Sequence, residues 1–122
     1  MSADVYRYEI DAGVAVFNLT EFSVNGGLLL QEFFETFESV LARSEVTATV
    51  LVFAEEGGLS RWFFERFDDL LSRIDGYELD RAAVVAPPVK RTALRGRLAE
   101  TDVTVKTPET PSAAVEWART SA

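Results

Sequence analysis

The chain has 122 residues, of which 48% are hydrophobic and 26% charged, enough for one domain with a real core (residues 1–122) and too few for two. It contains no cysteine and no histidine, which excludes disulfides, thiolate metal sites, cysteine nucleophiles and the commonest general base. The net charge of −8 is divided unevenly, −11 over residues 1–80 and +3 over residues 81–122, and so acidic a body disfavours nucleic acid, whose binding rests on neutralising phosphates.

Val5 to Ile10 alternates with period two and predicts a strand; Asp11-Ala12-Gly13 follows as a tight turn, and Val14 to Leu19 as the antiparallel return of a hairpin. Thr20 to Gly27 is polar and loop-like. From Leu28 to about Arg43, Leu30, Phe33, Phe34, Phe37, Val40 and Leu41 recur every three or four residues, with Gln31, Glu32, Glu35 and Glu38 opposite them, which predicts an amphipathic helix. Val46 to Ala54 is apolar on both faces toward its end and reads as a central strand. A second helix, Arg61 to Ile74, buries Phe63, Phe67, Leu70, Leu71 and Ile74 and turns Glu65, Asp68, Asp69 and Arg73 to solvent. Arg81 to Ala86 is a short strand broken by Pro87-Pro88, and the second proline suits the first turn of a helix running to about Leu98. Asp102 to Thr107 alternates again, and Thr110-Pro111-Ser112 caps a last helix, Ala113 to about Arg119.

The order ββαβαβαβα predicts an α/β fold: a five-stranded mixed, mostly parallel sheet with helices mainly on one face. Right-handed crossovers that always add to the same edge would put all four helices on one side. Leu51 and Phe53 would then point to an uncovered face, which invites a partner or a second copy of the chain.

The candidate site is the loop between the central strand and the second helix, Glu55, Glu56, Gly57, Gly58, Leu59 and Ser60, together with Trp62 just beyond it. Ligands of α/β sheets gather at the carboxyl ends of strands. Ser60 stands where a helix N-cap belongs, the favoured reading; a phosphate there would gain from the helix dipole and be opposed by Glu55 and Glu56. The adjacent carboxylates read as a solvated loop, since nothing completes an acid/base or cation site around them. Trp62 lies off the core stripe of its helix, either packed under a loop or exposed as an anchor. Lys90, Arg91, Arg95 and Arg97 form the one basic cluster and a candidate anion patch beside a helix N-terminus, although a solvated helix face, partly paired with the acidic body, is the favoured reading. No nucleotide-binding glycine pattern accompanies them.

In its element order the chain resembles the SpoIIAA-like, or STAS, superfamily, and more closely its SEC14-type branch. The resemblance spans Val5 to Arg119 and rests on the opening hairpin, the strand Val46 to Ala54 running into Gly57-Gly58-Leu59-Ser60-Arg61-Trp62, the strand Arg81 to Ala86, and the closing Ala113-Ala114-Val115-Glu116-Trp117. It implies a non-enzymatic regulatory module that binds a protein partner and is switched by phosphorylation at the serine before the second helix, here Ser60. The SEC14-type branch implies a different role, binding of an apolar or lipid-like ligand between the two Phe-rich helices. The family's Asp-Ser-Ser-Gly context is replaced by Gly-Gly-Leu-Ser. No cofactor and no metal are expected. No apolar run reaches the roughly 20 residues a membrane span needs, and Met1 to Glu9 lacks a signal-peptide layout, so a cytoplasmic location is expected. Ten arginines against two lysines on an acidic surface are compatible with a high-salt cytosol.

Overall fold

The computed structural model describes residues 7–19, 27–53 and 61–120. Five strands, β1 (Arg7–Asp11), β2 (Val14–Leu19), β3 (Ala48–Phe53), β4 (Arg81–Val85) and β5 (Thr104–Lys106), alternate after the hairpin with four helices, α1 (Gly27–Leu41), α2 (Arg61–Ile74), α3 (Pro88–Leu98) and α4 (Pro111–Thr120). The strands form one sheet in the order β1-β2-β3-β4-β5, with β1 antiparallel to β2 and every other pair parallel. This is the α/β architecture that the periodicities predict. The expected loop from Thr20, and the expected helix positions Leu28 and Leu30 as side chains, lie outside the described residues.

The β1–β2 hairpin closes on two residues, Ala12 (φ 53°) and Gly13 (φ 81°). Positive φ at both positions is what matches the twist of paired strands. Gly13 is constrained twice over, since a Cβ there would lie 3.1 Å from the Glu45 carbonyl oxygen. Its own carbonyl accepts from the Thr47 and Ala48 amides at 2.9 and 3.2 Å, which seats the start of β3 beside the turn.

Each strand from β2 to β5 adds to the same edge, and right-handed crossovers therefore put α1, α2 and α3 on one face. Their apolar stripes meet Ala15, Phe17, Leu51, Phe53, Ala82 and Val84 in the larger core. Seven phenylalanines, Phe17, Phe33, Phe34, Phe37, Phe53, Phe63 and Phe67, are buried there. Their rings touch, Phe17 and Phe37 edge-on with centroids 4.9 Å apart and Phe34 and Phe63 tilted at 57° with centroids 5.2 Å apart. Thr49, the buried polar residue of β3, donates its hydroxyl to the Ala15 carbonyl at 2.9 Å, so its own side chain is paired.

The structure corrects the expectation that all four helices share a face. α4 follows the last strand rather than linking two, so no crossover rule fixes its side, and it folds back across the opposite face. Ala114 and Ala118 are fully buried there with Val14, Ala48, Val50, Val52 and Ala83. Small residues on both sides allow close approach of helix and sheet. Leu51 and Phe53 accordingly point into the three-helix core, not toward an open face. The cap of α4 is as expected: the Thr110 hydroxyl accepts from the Ala113 amide at 3.1 Å, with Pro111 in the first turn.

Candidate functional site

Because β2, β3 and β4 run parallel, their carboxyl ends, Leu19, Phe53 and Val85, share one edge of the sheet, and α2 and α3 start from that edge. Glu55, Glu56, Gly57, Gly58, Leu59 and Ser60 lie outside the described residues, as does the side chain of Trp62, whose backbone belongs to the first turn of α2. The strand and the helix on either side of the loop are described. Phe53, the last residue of β3, meets Phe63 edge-on at 6.0 Å, and Phe63 in turn stacks on Phe67 at 5.9 Å. The two described side chains nearest the candidate loop, Phe53 at the end of β3 and Phe63 in the first turn of α2, thus touch each other.

Beside this edge, α3 begins after Pro87 (φ −59°, ψ 157°) with Pro88 in its first turn and no side-chain cap. Val89 is 84% exposed. The basic cluster is split by the helical period. Arg97 turns toward α2, where its Nε lies 3.0 Å from Asp68 Oδ1 and its guanidinium stands 4.3 Å from the centre of the Phe64 ring. That Nε reaches its carboxylate without an aligned hydrogen bond, and Arg81 Nε does the same with Asp80 Oδ1 at 3.2 Å. Lys90 is half-buried, and burial pulls its ammonium below the ordinary lysine value. Arg95 lies instead along the groove beside β5. Arg95 and Arg97 of the cluster therefore do not converge on one point.

Three surface depressions accompany these residues. A polar cleft of about 790 Å³ lies between α2 and α3 and is lined by Asp68, Ser72, Asp75, Gly96, Arg97 and Glu100. A smaller one of about 130 Å³ lies between α1 and α2, over Glu35, Glu38, Arg66, Asp69 and Arg73. The third, about 480 Å³, wraps the free side of β5. Among the described residues no group of three or more Asp or Glu could hold a metal ion, and no helix is long and apolar enough to cross a membrane.

Two polar arrangements escape the sequence. Glu38, expected at the surface, is half-buried: it accepts from Arg73 and from the Tyr77 hydroxyl, and Arg73 also binds Asp69. Hydrogen bonds from Arg73, then from Tyr77, hold the Glu38 carboxyl below its usual value against a partly opposing burial. Residues 35 and 39 positions apart in sequence give no periodic signal. The second arrangement, Lys106 beside Trp117, depends on the side that α4 takes. Comparison with known proteins finds no family model, no curated protein and no solved structure that matches the chain.

Proposed function

We propose that the domain is a non-enzymatic regulatory module of the STAS or SpoIIAA-like type, working in the cytoplasm by protein–protein interaction. Its contact surface is the loop Glu55 to Trp62 at the carboxyl edge, and its partner is another protein or a second copy of the chain. The observation that supports this reading over an apolar ligand is the filling of the space between α1 and α2. Phe33, Phe34 and Phe37 from one helix and Phe63 and Phe67 from the other meet ring to ring. The small depression left between these helices is bordered by charged side chains. Lipid-like ligands need an enclosed apolar volume, commonly several hundred Å³. A surface loop on a close-packed aromatic base is instead suited to recognition.

The test is a photo-crosslinking residue placed at Trp62, with native mass spectrometry of the purified chain. A discrete protein adduct, or a crosslinked dimer, that is lost when Glu55 and Glu56 are replaced by Gln supports the interaction reading. Stoichiometric co-purified lipid overturns it. A Ser60→Asp substitution that leaves the adduct unchanged removes the phosphorylation switch and leaves Ser60 as a helix cap.

A further inference from the structure

We propose that the open side of β5 is a second interaction surface, which takes an acidic peptide segment in extended conformation as an added strand. This surface is independent of the loop before α2. β5 pairs with β4 alone among the described strands, in the register Arg81↔Thr104, Ala82↔Val105, Ala83↔Lys106. The Thr104 amide donates to the Asp80 carbonyl at 2.9 Å, on the β4 side. In a parallel ladder alternate residues bond to one neighbour, so Val105 turns its N–H and C=O outward, away from β4. The N–H of Val103, one step earlier on that side, is already bound by the Thr101 hydroxyl at 3.2 Å, and pairing would therefore start at Val105.

The charge around this edge selects the partner. The groove along β5 is lined by Arg95, Val105, Lys106, Thr107, Pro108 and Trp117. Val105 packs toward the α3 side, as part of the larger core's rim, whereas Lys106 lies on the α4 side with its ammonium 6.0 Å from the centre of the Trp117 ring. Arg95 approaches from α3. Among the described residues no carboxylate pairs with Arg95 or Lys106, on a chain whose net charge is −8. A lysine on a strand of three residues discourages pairing with a neutral strand, and the same lysine attracts an acidic one. Successive side chains of an added strand point to opposite faces. One acidic side chain would meet Arg95 and its immediate neighbour, or the residue three away, would meet Lys106 and Trp117. The recognised motif is therefore a pair of Asp or Glu at odd spacing within a β-prone segment.

The experiment uses three fluorescent eight-residue peptides of one β-prone framework: one with adjacent Glu-Asp at its centre, one with the two acids two apart, and one with Gln-Asn. Anisotropy should show the adjacent pair binding best. Binding should fall about fivefold on Lys106→Gln and again on Arg95→Gln, and weaken with salt. Hydrogen exchange of the Val105 amide should slow on binding, and Val105→Pro, which removes that outward N–H without touching the β4 ladder, should abolish binding while circular dichroism stays native. Equal affinity for the neutral peptide, or unchanged exchange at Val105, overturns the proposal. Full competition by inorganic phosphate or a short oligonucleotide would show an anion patch with no strand pairing and would overturn it too.

Discussion

Arg73 holds Glu38 with two hydrogen bonds, Nε to Oε2 at 2.6 Å and Nη2 to Oε1 at 2.7 Å, and so ties α2 to α1 on the rim of the phenylalanine core. The pair is bidentate and charge-assisted, and Tyr77 donates to the same carboxylate, which also pins the turn after α2. Glu38 has a folded-state pKa below its ordinary 4.5, chiefly through the Arg73 hydrogen bonds. Its contribution to stability is therefore full above the unfolded value and lost as pH falls through the folded one. Tyr77 has its hydroxyl pKa raised above 10.0, mainly by donating to Glu38, so its share is full below the unfolded value and lost as pH rises through the folded one. Denaturant titration across pH should show a plateau with both limbs. Glu38→Gln should lower the plateau by roughly 1 kcal/mol and flatten the acid limb, while Tyr77→Phe should flatten the alkaline one. A Glu38→Gln protein with an unchanged acid limb would assign that limb to other carboxylates.

The hairpin turn contains a correctable flaw. Ala12 occupies φ 53°, where a side chain costs about 1 kcal/mol, beside a Gly13 that needs its own positive φ. Ala12→Gly should raise stability by roughly 0.5–1 kcal/mol, and Gly13→Ala should lower it by more, because its Cβ would press on the Glu45 carbonyl at 3.1 Å. Thermal melts of the two variants should move in opposite directions.

Gly96 behaves differently. It sits in the interior of α3 on the wall of the α2–α3 cleft, and a Cβ there would meet nothing within 4 Å. Gly96→Ala should therefore stabilise the protein by roughly 0.8 kcal/mol. Should the variant be more stable yet lose binding to a partner, the cleft would be marked as a contact surface.

Phe63 links the loop root to the core through contacts with Phe34, Phe53 and Phe67. Phe63→Ala should cost about 3–5 kcal/mol, a large share of the 5–15 kcal/mol typical of a domain. Phe63→Leu should cost less and leave the chain folded. Urea midpoints of the two variants give the comparison.

Most of the fold was legible because its signals are local. The three- and four-residue spacing of Phe33, Phe37, Val40, Phe63, Phe67 and Leu70 places them in the core, and all are buried. Pro88 and Thr110 mark their helix starts through chemistry confined to one turn. Ala114 and Ala118 carry no sign of which sheet face they cover, since helix periodicity fixes a stripe but not its target, and no crossover constrains a helix after the final strand. The basic run Lys90 to Arg97 looks like one patch in sequence, yet the 100° step per residue sends Arg97 to Asp68 and Phe64 and Arg95 to β5. At the candidate loop, adjacency in sequence located the carboxyl edge, while Glu55 to Ser60 themselves lie outside the described residues.

The position of α4 also has a consequence for assembly. It follows every other described element in the chain, and without it docked Val14, Val50, Val52 and Ala83 would be the bare face of a sheet whose other side is covered by α1, α2 and α3. Docking of α4 is therefore the step that closes this face, and a chain in which it has come away carries a half-clad sheet open to misassociation.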